Sequence, residues 1–266
     1  MRARTRRASA PRELRLRRLR QARAWAPVFG QSGVVDLGSY DLVVVDGIGD
    51  KDEPWPWKRV VGTLQASEVL VLSYVSVGTI EEWRPYAGEV SRSWTLGEVE
   101  GWPGERYVSP CEGWQEILEK QARKLDELGF DGLYLDNLDI AEDFPEARDG
   151  VIELVNRLRH AVPEMLLVGQ NGLAVADRLP VDAIAHEDTY WRWDDGYRES
   201  TPQETAAIVA GLRRLRDRNL VVFTLDYAPP GSQAAGEVVR KSLAEGFVPA
   251  VSVLELDQPP HAPSAC

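Results

Sequence analysis

Eight short apolar runs, separated by amphipathic stretches, constrain this 266-residue chain more than any other feature. The runs are Trp25–Gly30, Asp41–Asp46, Val69–Val77, Gly132–Asp136, Met165–Gln170, Val181–Glu187, Leu220–Asp226 and Val248–Glu255. Most are continuously apolar rather than alternating, as expected of strands covered on both faces. Helical stretches stand between them. Ile117, Leu118, Ala122, Leu125 and Leu128 form one stripe, stopped by Gly129. Val151, Leu154, Val155, Leu158 and Val162 form another. Thr201-Pro-Gln-Glu204 is a capping box with proline at the first helical position. Ser232 and Gly246 bracket a last helix. Strand–helix alternation predicts parallel βα units, and eight of them predict a single (β/α)8 TIM barrel of the α/β class. A dinucleotide fold is disfavoured because Asp46-Gly-Ile-Gly49 lacks the third glycine of a phosphate loop. The least regular parts are the first strand, which contains Pro27, and the insert from Gly88 to Cys111.

Charge divides the chain. Residues 1–24 hold ten Arg and one Glu; removing that +9 from the overall −11 leaves −20 on the rest. The division expected is an Arg-rich leader without fixed structure at 1–24, the barrel at 25–258, and a tail at 259–266. An acidic body repels nucleic acid and favours cationic partners, so no nucleic-acid partner is expected. Cys111 and Cys266 make no disulfide framework, and His160, His186 and His261 are too scattered for a His-based metal site. No stretch is long and apolar enough to span a membrane. No apolar run follows Arg6-Arg7, so the chain as written carries no export signal, and the cytoplasm is the default expectation. No cofactor or metal is expected, and a monomer is.

In a parallel barrel the chemistry sits at the C-terminal strand ends. Asp46, Asp136, Glu187, Asp226 and Glu255 all fall there, and Glu81, Glu82, Asp139 and Asp188 lie just beyond. Crowded carboxylates split their pKa values, which separates an acid from a nucleophile or base, as glycoside hydrolysis requires. The same oxygens also suit Mg2+ or Ca2+, so both readings stand at this point. Nine Trp and eight Tyr against five Phe suit a wet groove, which makes carbohydrate a candidate ligand.

Five segments carry a resemblance: Ser73-Tyr-Val-Ser-Val-Gly78 with Glu81-Glu-Trp-Arg-Pro85; Gly101-Trp-Pro-Gly-Glu-Arg-Tyr107; Gly129-Phe-Asp-Gly-Leu-Tyr-Leu-Asp-Asn-Leu-Asp139; Gln170-Asn-Gly172; and Asp182-Ala-Ile-Ala-His-Glu187. In these the chain resembles the endo-α-1,4-polygalactosaminidases of glycoside hydrolase family 114 and the related TM1410-like barrel proteins. The resemblance implies that Asp136 and Glu187 are the catalytic carboxylates, facing each other from strands four and six. It favours Asp136 as nucleophile and Glu187 as acid/base, with the order of roles open. It further implies that Asp46, Tyr74, Glu81, Arg84, Asn137, Asp139, Asn171 and Asp226 contact sugar or hold that pair. Arg84 beside several carboxylates equally suits a clamp, and Tyr74 equally suits packing. Trp191 and Trp193 closely follow Glu187 and suit a wall for a sugar ring; a core position suits one of the two equally. Where some members carry cysteines after the catalytic Glu, this chain reads Asp188-Thr-Tyr-Trp191. The resemblance implies an endo-acting hydrolase of a cationic amino-sugar polysaccharide, and it implies export. A non-catalytic polysaccharide-binding barrel and a metal-dependent barrel hydrolase are the rival readings.

Overall fold

The computed structural model describes residues 11–29, 37–50 and 57–260. Within them lie eight parallel strands: β1 (Trp25–Pro27), β2 (Leu42–Val45), β3 (Leu70–Ser76), β4 (Gly132–Asp136), β5 (Leu166–Gln170), β6 (Ala183–Glu187), β7 (Val221–Tyr227) and β8 (Val248–Ser252). They hydrogen-bond in that order, each to the next. The helices are α1 (Arg12–Gln21), α2 (Trp57–Ala66), α3 (Glu112–Leu128), α4 (Ile140–Asp143), α5 (Arg148–Ala161), α6 (Pro202–Arg216) and α7 (Gln233–Ala244). This is the single (β/α)8 barrel that the alternation predicts.

Each helix stops or starts for a local reason. Gly129 takes a left-handed φ of 96° and its N–H bonds the last carbonyls of α3. Thr201 and Glu204 form both halves of the capping box of α6, and Ser232 caps α7 through Ala235 N. β1 is three residues long and contains Pro27, which has no N–H to give, while the next N–H, that of Val28, still donates to Val44 O at 2.8 Å. The seam between β1 and β8 is closed by other groups: Trp25 Nε1 donates to Val248 O at 3.1 Å, and Phe29 N donates to Leu256 O at 2.8 Å. Gly30, the expected end of the first strand, lies outside the described residues, as do residues 1–10 and 261–266.

The arginine-rich stretch departs from the expectation of a structureless leader. From Arg12 to Gln21 it is a helix, with Arg15, Leu19 and Ala22 buried. The buried face is possible because partners wait for its charges: Asp131 and Glu164 O take Arg15, and Asp182 takes Arg12. Two additions decorate the C-terminal end of the barrel. The insert after β3 carries a three-stranded antiparallel sheet, Thr95–Glu98 and Thr79–Glu81 flanking Glu105–Val108. The loop after β6 carries a hairpin, Trp191–Trp193 paired with Tyr197–Glu199.

Candidate active site

Side-chain alternation selects what the barrel mouth contains. Trp25, Leu42, Val44, Leu70, Leu72, Tyr134, Leu166, Val168, Ala183, Ala185, Phe223 and Leu225 fill one interior cluster. Stepping two residues onward along those strands gives Asp46, Tyr74 and Ser76, Asp136, Gln170, Glu187 and Tyr227. These are the side chains at the mouth. Asp136 and Glu187 therefore turn inward for the same reason that Tyr134 and Ala185 do.

Both carboxylates are held by neighbours. Asp136 Oδ1 accepts the Asn137 N–H at 2.8 Å, and Tyr74 hydrogen-bonds the same carboxyl. Glu187 Oε1 accepts from Asn171 Nδ2 at 2.9 Å and Oε2 from the Tyr227 hydroxyl at 2.8 Å. Asn171 also accepts the Glu187 backbone N–H at 3.2 Å, so one amide grips residue 187 twice. Burial, and then the charge of Glu187, push the Asp136 carboxyl well above the ordinary carboxylate range. The residues that follow β4, β5 and β6 are Asn137, Asn171 and Asp188, with left-handed φ values of 58°, 60° and 57°. Such backbone is tolerated by Asn and Asp and clusters at functional turns.

On the β2–β3 side Arg84 is the centre of a clamp. Its Nη1 reaches Asp46 Oδ2 at 2.6 Å, its Nε reaches Glu81 Oε2 at 2.9 Å, and its guanidinium lies 5.4 Å from the Tyr74 ring centroid. Arg84 and Glu81 are both buried. The clamp fixes Tyr74, and through it Asp136. Asn137 Nδ2 donates to Ser76 Oγ at 3.0 Å and to Thr79 Oγ1 at 3.1 Å, tying the end of β4 to that of β3. Glu105 accepts from Thr79, and burial raises its pKa.

On the β6–β7 side lies Asp226, expected to contact sugar or to hold the catalytic pair. It has 0% exposure, and its Oδ1 takes the N–H groups of Tyr190 (2.5 Å) and Trp191 (2.8 Å). Its parity is opposite to Tyr227, so it faces the loop outside the barrel and anchors the root of the hairpin. Trp191 is half-buried against the cluster beneath α6 and α7, whereas Trp193 is exposed. Glu255 is a second correction: β8 ends at Ser252, and Glu255 is an exposed turn residue beyond it. Tyr227 and Glu105 are site residues that sequence reasoning did not single out. For Tyr227 the signal existed, because it continues the interior series Phe223–Leu225. Among the described residues no three His, Cys, Asp or Glu are grouped to hold a metal ion, and no helix is long and apolar enough to cross a membrane.

Three further carboxyls share the raised pattern. Asp139, Asp188 and Asp226 are each pushed up to about 7, with burial as the main cause. The charge of Glu187 adds to this at Asp139 and at Asp188. For Asp139 the folded state keeps a proton that the unfolded chain, with its ordinary value of 3.8, releases. Stability contributed by this group is complete below about pH 4 and is lost as pH rises towards 7. Asp139→Asn is therefore expected to flatten the fall of Tm between about pH 4 and 7, measured by thermal unfolding in a buffer series. A slope identical to that of the parent chain would refute this.

A parallel barrel with two held carboxylates at its mouth, one pushed towards its neutral form by burial and one accepting hydrogen bonds from an amide and a phenol, has the parts for acid-assisted cleavage of a glycosidic bond. The comparisons agree on the class. The chain belongs to glycoside-hydrolase family GH114, whose model matches residues 5–264; the protein is thus a glycosidase. It is 30% identical over 256 residues to an uncharacterized protein of Deinococcus radiodurans, covering 86% of this chain and 79% of the relative. An uncharacterized protein of Thermotoga maritima is 26% identical over 268 residues, covering 86% and 82%. Among solved structures, the glycoside hydrolase domain of PelA from Pseudomonas aeruginosa superposes with a TM-score of 0.76 at 23% identity, covering 89% of this chain and 96% of that one. Aspergillus fumigatus Ega3 in complex with galactosamine gives 0.72 at 15% identity, covering 90% and 94%. At these identities the two structures share the fold.

Proposed function

We propose that this glycosidase is endo-acting on an α-1,4-linked, galactosamine-containing polysaccharide, with Asp136 as nucleophile and Glu187 as acid/base. The observation that carries this reading is the pair itself: two carboxylates at the ends of β4 and β6, each fixed by a phenol and a second donor. The galactosamine bound by Ega3 supports the sugar class, and so does an acidic body of −20 outside the first 24 residues.

The two roles need one proton between them. In the free protein burial and the charge of Glu187 both oppose ionisation of Asp136. An ammonium at C2 of the sugar, next to the anomeric carbon, favours the ionised form of whichever carboxylate approaches that carbon. With the proton on Glu187, Asp136 forms a bond to the anomeric carbon while the glycosidic C–O bond breaks. Glu187 gives its proton to the leaving oxygen. Water then attacks the glycosyl–Asp136 ester, returns a proton to Glu187, and releases Asp136. Two inversions retain the configuration.

The test is incubation with partially deacetylated galactosaminogalactan, Pel-type polymer and chitosan, with and without chelator, followed by measurement of new reducing ends. The expected result is cleavage of a galactosamine-containing polymer, indifferent to chelator, with the first-formed end in the α configuration. Retention of polymer without new ends would instead make this a binding barrel. Loss of activity with chelator would make it a metal-dependent hydrolase.

A further inference from the structure

Two tryptophans are the exposed ones among the described residues: Trp102 at 52% and Trp193 at 40%. Both stand on the additions at the C-terminal end of the barrel, and each is rigidly mounted. Trp102 lies in the turn joining Thr95–Glu98 to Glu105–Val108; its N–H bonds Val99 O at 3.2 Å and its carbonyl takes Glu105 N at 3.1 Å. That turn is pinned to the segment after β3, because Glu82 N donates to Gly104 O at 2.9 Å. Gly104 has a φ of 85° and a Cβ there would meet Glu82 at 3.0 Å, so the approach requires glycine. Trp193 pairs across its hairpin with Tyr197, the rings 4.9 Å apart and nearly perpendicular at 84°. The root of that hairpin is held by Asp226 through Trp191 N.

Their placement relative to the reacting pair follows from the strand order. The insert follows β3 and the hairpin follows β6, three strands further round the ring of eight. A polymer laid from one to the other passes over the ends of β4 and β6, where Asp136 and Glu187 stand. Exposed aromatics scattered singly need no explanation. Two exposed indoles carried on separate additions at the catalytic end of one barrel are a different case, for each offers a flat face at little cost in conformational entropy. The charge around Trp102 suits the same ligand. Glu98 and Glu100 are exposed in its turn and Glu82 packs beneath it. An indole face and neighbouring carboxylates both attract an ammonium.

We propose that Trp102 and Trp193 are outer binding platforms for pyranose rings of the polymer, one on each side of the bond that is cut. This rests on the glycosidase reading above and adds what makes the enzyme a polymer enzyme. On this proposal the trimer of α-1,4-linked galactosamine engages the reacting pair without both platforms, whereas the polymer engages both.

The experiment compares Trp102→Ala, Trp193→Ala and the double variant on polymer and trimer. For each tryptophan removed, KM for the polymer is expected to rise about three- to tenfold more than KM for the trimer, the size of one stacking or cation–π contact. The two effects should multiply in the double variant. Equal changes on both substrates, or an unchanged polymer KM, would overturn the platforms. A second measurement separates this failure from failure of the cleavage reading. The same substitutions on a Glu187→Gln background are run through gels containing the polymer, where binding retards migration. Retardation lost with the tryptophans supports the platforms even if the parent chain cleaves nothing. Retardation that survives their loss, or is absent from the start, overturns them.

Discussion

Asp136→Asn and Glu187→Gln are each expected to lower polymer hydrolysis by about a thousandfold or more, the scale of losing a positioned acid, base or nucleophile. Each substitution keeps the shape of the side chain and removes only its ability to ionise. The hydrogen bonds that hold the group have amide equivalents. Asn137 N and Tyr74 can still donate to the amide oxygen introduced at position 136, and Asn171 or Tyr227 to the one introduced at position 187. The fold should persist, and Tm should not fall on Asp136→Asn, because Asp136 is already pushed towards its neutral form by burial. The double variant should lose little more than the worse single one, since the carboxylates act as a unit. Initial rates of reducing-end formation, read beside thermal unfolding, check all three statements. A single variant with near-parental turnover and an intact fold would remove that carboxylate from the mechanism.

How far this site is legible in the sequence depends on how each residue is held. Asp136 ends a continuous apolar run and Glu187 a largely apolar one, and the strands found there, Gly132–Asp136 and Ala183–Glu187, stop on those residues. Asp226 shows the limit of the same logic. The expected strand stops on Asp226, whereas β7 runs one residue further to Tyr227. Neighbouring residues of a strand point to opposite faces, and with Phe223 and Leu225 inside, the acid belongs outside the barrel and the phenol inside. Tyr227 then reaches Glu187, and Asp226 reaches the hairpin root. The insert is harder to read because Leu96, Gly97 and Glu98 are exposed, and an exposed edge strand has no buried stripe to reveal it. In α1 composition masks periodicity: Arg15, Leu19 and Ala22 are spaced as one helical face, but an arginine in that stripe reads as polar until its partner is known. Asp131 lies 116 residues away in sequence, a separation that no local pattern carries.

That partner makes Arg15→Ala the change with the largest expected effect on stability. Arg15 is 1% exposed, and its Nε lies 3.0 Å from Asp131 Oδ1 while its Nη1 donates to Glu164 O at 2.8 Å. Asp131 immediately precedes β4, and its other oxygen takes Val71 N and Gln65 Nε2, each at 3.0 Å. Truncating the arginine leaves that carboxylate buried with neutral donors but no counter-charge, and leaves the Glu164 carbonyl without this donor. Breaking one side of a buried pair costs about 3–5 kcal/mol. For a chain of this size the loss corresponds to a fall in Tm on the order of 10 °C. Arg18→Ala is the matched control. It also removes an arginine of α1 from an ion pair, but Glu68 is 83% exposed, so the expected cost is below about 1 kcal/mol. Replacing the buried pair together, Arg15→Met with Asp131→Leu, should recover much of the loss, because no unpaired charge remains. Some deficit should persist, since Val71 N and Gln65 Nε2 lose their acceptor. Chemical denaturation of the four proteins measures each step. If Arg15→Ala cost no more than Arg18→Ala, the helix would be an ornament on the barrel floor. If it costs several times more, the arginine-rich segment is part of the folded domain, fastened to β4 at the end opposite Asp136.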